Sequence, residues 1–133
     1  MPRILLIDDQ QDFHDIYETV LTAHGYEVDH AFSAEEGLGK IADACPDVVI
    51  LDIMMPDGYE GFEVARAVRF QLKLTDLPII VLSSIHEVKQ MTARFGIDEN
   101  HLPVNLWLDK PVEPRDLLEK IRAALGDQEP IPG

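Results

Sequence analysis

Residues 48–58 read VVILDIMMPDG: four aliphatic residues without a break, Val48–Leu51, then an aspartate, and soon a proline and a glycine. A run this short, with no polar alternation, suits a β-strand buried on both faces, as in a parallel sheet covered by helices. Working outward, the same kind of run recurs at Ile4–Ile7, Ile79–Leu82 and Leu106–Leu108, and a weaker strand is expected around Glu27–Ala31. The strong runs end on residues capable of chemistry. Asp8 and Asp9 close the first, Asp52 closes the third strand, Ser83 closes the fourth, and Lys110 follows the fifth.

Helical patterns fill the intervals. Phe13, Ile16, Tyr17, Val20 and Leu21 follow i, i+3, i+4, i+7, i+8, the stripe of an amphipathic helix. Ser33 and Glu36 have capping-box spacing and open a second helix. Further helices are expected over Phe62–Leu72 and Glu87–Phe95. In the last, Leu117, Leu118, Ile121, Ala124 and Leu125 form the apolar face, Pro114 suits the first turn and Gly126 the exit. Five strands alternating with five helices require right-handed crossovers and a parallel sheet between two helical layers. The expected architecture is one doubly wound α/β domain over residues 1–126, with Asp127–Gly133, which holds Pro130 and Pro132, as a flexible tail.

The 133 residues leave no room for a second domain, and 46% apolar content is ample for one core. A formal charge of −14, from 25 acidic and 11 basic residues, repels polyphosphate backbones and anionic headgroups, so nucleic acid and membrane are not expected as direct partners. The start, MPRILLIDD, is too short in its apolar run for a signal peptide, and no segment approaches a membrane span; a cytoplasmic location is expected. Cys45, the lone cysteine, is expected as a structural, partly buried thiol. His14, His24, His30, His86 and His101 show no metal-ligand spacing on a shared helix, so surface or capping roles are expected.

In a doubly wound sheet the ligand site lies outside the carboxyl ends of the strands, so Asp8, Asp9, Asp52, Ser83 and Lys110 share one place. Carboxylates that close repel strongly: at ~4 Å and an effective dielectric of ~20, each ionised pair costs about 4 kcal/mol. A hard divalent cation offsets this; Mg²⁺ takes one or two carboxylates, keeps several waters and binds phosphate oxygens. Lys110 supplies a mobile positive charge for a phosphoryl oxygen, and Ser83 a hydroxyl donor. Such a set stabilises in-line phosphoryl transfer to a carboxylate.

The segments LLIDD, VVILDIMMPDG, PIIVLSS and WLDKP, in this order and near these separations, resemble the signature set of response regulator receiver domains, from about Arg3 to Leu125. The resemblance implies the flavodoxin-like fold with strand order 2-1-3-4-5, the general order for such folds, a chemotaxis receiver among them, and not one read from periodicity. It implies Asp52 as the acceptor of a phosphoryl group from a histidine kinase or histidine phosphotransfer protein, and a downstream protein effector as the output. It implies direct Mg²⁺ contact by Asp9 and Asp52, water-mediated contact by Asp8, and a main-chain carbonyl ligand at Met54. Ser83 would hydrogen-bond the phosphoryl group, Lys110 would form an ion pair with it, and Pro111 matches a proline that follows a cis peptide bond. Trp107 stands where relatives carry a tyrosine or phenylalanine that swings inward on activation, so Ser83 and Trp107 are the expected switch residues; the larger ring is a departure. MPDGYEG has one residue more than the usual loop, and the Gly96–Asn105 stretch is longer than its counterpart.

Rivals from other classes fare worse. An electron carrier of the same fold needs a hydroxyl-rich phosphate loop after the first strand, where this chain has Asp8, Asp9, Gln10, Gln11 and Asp12. A haloacid dehalogenase-type phosphohydrolase expects a second acid two residues after its nucleophile, where this chain has Met54. A receiver-like adaptor that binds partners without phosphorylation is the alternative that keeps the fold. The expectation is a non-enzymatic, single-domain switch that assists its own phosphorylation and dephosphorylation, with no output domain in these residues.

Overall fold

A computed structural model describes residues 2–52, 60–74, 76–82, 106–108 and 113–126. Strands β1 (Arg3–Ile7), β2 (Glu27–Ala31), β3 (Val48–Asp52), β4 (Ile79–Leu82) and β5 (Leu106–Leu108) form one parallel sheet in the order β2-β1-β3-β4-β5. Helices α1 (Gln11–Ala23), α2 (Ala34–Asp43), α3 (Glu60–Arg66) and α4 (Pro114–Ala124) follow the strands. The expected helix over 87–95 and the expected tail lie outside the described residues.

The unbroken apolar runs have a simple cause. Side chains alternate across a strand, so a strand covered on both faces needs apolar residues at every position. Leu5, Ile7, Val49, Leu51, Ile79 and Val81 enter one core with Ile41 of α2 and Val64 and Ala65 of α3. Ile4, Leu6, Val48, Ile50, Ile80 and Leu82 enter the other with Tyr17 and Leu21 of α1 and Leu117, Leu118 and Ile121 of α4. β2, at the sheet edge, is only partly buried, which is why its pattern was the weakest.

Local signals behave as their chemistry dictates at α2 and α4. The Ser33 side chain accepts the Glu36 N–H at 3.1 Å, Pro114 sits in the first turn of α4, and Gly126 takes φ +82° past its end. Gly37 lets α2 approach β1, because a Cβ there would stand 2.6 Å from Ile7 Cδ1. α3 runs on as a π-helical turn, Ala67–Gln71, closed by Leu72 N–H donating to the Ala67 carbonyl at 2.9 Å.

Three expectations need correction. Ile16 is 55% exposed, while His14, expected at the surface, is fully buried, so the inward stripe of α1 runs His14, Tyr17, Leu21. A polar imidazole holds the place because its ring nitrogens are hydrogen-bonded. Cys45, expected partly buried, is exposed in the α2–β3 connection.

Candidate functional site

β1 and β3 are neighbours with Ile4 opposite Val48 and Ile7 opposite Leu51, so one further step of the same register sets Asp8 beside Asp52. Both also share the parity of Ile4, Leu6, Val48 and Ile50, so both point toward the α1 and α4 side. Sequence periodicity could not give this pairing; it needs the crossover that makes β3 the neighbour of β1. Asp8 is 2% exposed and Asp52 7%, while Asp9, one residue on, is only partly buried.

Burial pushes the Asp8 carboxyl up to about 7. The Gln10 N–H, donating to Asp8 Oδ1 at 2.8 Å, opposes that rise, and the neighbouring Asp52 and Asp9 add to it. Asp8 therefore feels both Asp9, its chain neighbour, and Asp52 across the strand ends. Ser83, Lys110, Met54 and Pro111 lie outside the described residues. Trp107 is described as part of β5, opposite Val81.

The donor set bears on which ion it suits. Among the described residues, no group of three or more histidine, cysteine, aspartate or glutamate side chains could by itself hold a metal ion. A hard cation that keeps most of its waters needs fewer, one or two carboxylates. Two buried carboxylates at adjacent strand ends, one of them raised by burial and by its acidic neighbours, fit that requirement.

Behind the acidic pair lies a network that sequence reading missed. The Asp8 N–H donates to the Ala31 carbonyl at 3.1 Å, and the Asp8 carbonyl accepts from His14 Nε2 at 2.9 Å. His14 Nδ1 meets His30 Nδ1 at 2.7 Å, and His30 Nε2 lies 3.3 Å from Glu18 Oε1. Phe32 covers the His14 ring with centroids 4.1 Å apart. Burial holds His14 below the ordinary histidine range. A histidine on α1 and another on β2 carry no common spacing, so only the fold reveals them as a pair.

Residues 4–122 match the family model of the response regulator receiver domain. The chain belongs to that family. Among its relatives are the response regulator MprA of Mycobacterium sp. (strain KMS), 37% identical over 98% of this chain and 54% of the relative, and the transcriptional regulatory protein AfsQ1 of Streptomyces coelicolor, 35% identical over 94% of this chain and 52% of the relative. The DNA-binding dual master transcriptional regulator RpaA of Synechocystis is 30% identical over 99% of the chain and 52% of its own length. The chain thus spans about half the length of these relatives. Among solved structures, the chemotaxis protein CheY4 of Vibrio cholerae is similar with a TM-score of 0.76 at 32% identity, covering 94% of this chain and 99% of that one. This receiver domain is accordingly a component of two-component signalling, with the parallel α/β sheet of its family. No helix among the described residues is long and apolar enough to cross a membrane.

Proposed function

We propose that residues 1–126 act as a cytoplasmic switch in which Asp52 accepts a phosphoryl group with the help of Mg²⁺. The observation that carries this reading is the register-matched pair of buried carboxylates, Asp8 and Asp52, at the ends of adjacent strands in a receiver domain. Asp52 is the nucleophile: a carboxylate oxygen attacks phosphorus, the phosphorus–nitrogen bond to the donor's phosphohistidine breaks, and the imidazole leaves with a proton taken from solvent. Asp9, Asp52 and the Met54 main-chain carbonyl would hold Mg²⁺, with Asp8 acting through water. When bound, the ion supplies charge neutralisation for the carboxylates and the phosphoryl oxygens. Ser83 donates a hydrogen bond to the phosphoryl group, and Lys110 pairs with its charge. Ser83 and Trp107 then carry the change toward the last strands. Hydrolysis by water at phosphorus restores Asp52 and releases inorganic phosphate, so the chain assists its own resetting.

The partners are a histidine kinase or histidine phosphotransfer protein on the input side and a protein effector on the output side. The charge of −14 favours protein over nucleic acid as the contact of these residues, while the DNA binding named for the Synechocystis relative belongs to a protein about twice as long. The test is intact-mass measurement after incubation with acetyl phosphate. One phosphoryl group should be gained with Mg²⁺ and none by Asp52→Asn, whose amide is nearly isosteric but lacks nucleophilic charge. Full phosphorylation of that variant would sink the assignment.

A further inference from the structure

We propose that His14 is a positioning residue for the acidic pair: its Nε2–H, braced through His30 and Glu18, fixes the main chain at Asp8 and so the placement of the Asp8 and Asp9 carboxylates. This rests on the magnesium reading of the site above. The logic begins with the backbone. β1 ends at Ile7 and β2 at Ala31, so the sheet ladder stops just where the chain must turn to present Asp8 and Asp9. The Asp8 N–H still reaches the Ala31 carbonyl, but the donor to the Asp8 carbonyl, at 2.9 Å, is a side chain, His14. A buried carbonyl left without a donor is costly, so this bond holds the peptide plane after Asp8, and that plane carries the Asp9 N–H.

Hydrogen-bond bookkeeping then fixes the ring. A carbonyl oxygen only accepts, so Nε2 of His14 must carry a proton in every state that makes the bond. The short Nδ1 to Nδ1 contact with His30, 2.7 Å, needs one proton between the two rings, whichever ring owns it. The far nitrogen of His30 faces Glu18 at 3.3 Å. Phe32 lies over the His14 ring, and the His30 strand is tied down by Lys40, whose Nζ donates to the His30 carbonyl and, at 3.0 Å, to Asp29 Oδ1. The His14 ring therefore has both nitrogens engaged and one face covered. It cannot turn without breaking its bond to the Asp8 carbonyl or to His30 of β2.

This arrangement matches the general role of groups that orient ligands without touching the ion, whose loss typically costs about 10–100-fold in metal affinity. The experiment uses Mg²⁺ alone, titrated into the whole chain while the Asp8, Asp9 and Gln10 amide signals are followed by NMR. His14→Gln keeps an N–H donor at a similar reach, and His14→Leu fills the space without one. Magnesium binding about tenfold weaker in His14→Leu and within about twofold of wild type in His14→Gln supports the proposal. Equal losses in both variants would assign the effect to packing and overturn it, as would wild-type affinity in His14→Leu. Wild-type amides that ignore Mg²⁺ would instead overturn the magnesium reading. In that event the Asp8 carbonyl carbon shift still decides: displaced in His14→Leu but not in His14→Gln, it upholds the hold on the turn, and unmoved in both it removes it.

Discussion

Burial pushes the Asp8 carboxyl up to about 7 against an ordinary value of 3.8, the charges of Asp52 and Asp9 add to that rise, and the sign of the effect on stability follows. Between those values the folded chain holds a proton that the unfolded chain has released, so stability is full below the lower value and falls as pH rises toward the upper one. Thermal melts without Mg²⁺ should show Asp8→Asn gaining several degrees over wild type at pH 8 and much less at pH 4. A gain independent of pH would assign the effect to something other than the Asp8 charge. In wild type, Mg²⁺ binding should strengthen as pH rises through about 7, with proton release measurable by calorimetry in buffers of different ionisation heat. That Asp8, Asp9 and Asp52 come to neighbouring strand ends was legible because strand ends of a doubly wound sheet converge. His14 was not legible, because one histidine inside an amphipathic pattern reads as solvated until its partner on another element is known.

The elements were largely legible for the same reason that they are stable: strands covered on both faces must be apolar throughout, and β1, β3 and β4 announce themselves. The face of α1 was read rightly at Phe13, Tyr17, Val20 and Leu21 and wrongly at two positions, since Ile16 is apolar yet exposed and His14 polar yet buried; hydrophobicity alone cannot see a satisfied imidazole. Two glycines in α2 make a paired test of how closely helix and sheet approach. A Cβ at Gly39 meets nothing within 4 Å, so Gly39→Ala should stabilise by about 0.5–1 kcal/mol through helix propensity. Gly37→Val should destabilise by about 1–3 kcal/mol, because its side chain would enter space held by the buried Ile7. Denaturant midpoints of the two variants that moved in the same direction would contradict this placement of α2.

On the scale of the molecule, two cores on either face of one sheet make a rigid frame that delivers a few polar residues to a single edge. On the proposed reading, phosphorylation would add roughly −1.5 to −2 charge units there and bias a two-state surface near the last strands. Trp107, the sole tryptophan and a residue of β5, offers the test: if it belongs to the switch, its emission should shift modestly on adding Mg²⁺ with beryllofluoride, and unchanged emission would exclude it. Strand order was beyond periodicity, since nothing in β1 or β3 taken singly says that they are neighbours, and that neighbourhood is what sets Asp8 beside Asp52. The most direct measurement locates the phosphoryl group itself. After incubation with acetyl phosphate, borohydride reduction converts an aspartyl phosphate to homoserine, and peptide mapping reads its position. Homoserine at Asp52, formed only when Mg²⁺ was present, is the predicted result; homoserine at Asp8 or Asp9, or none anywhere, would contradict the account.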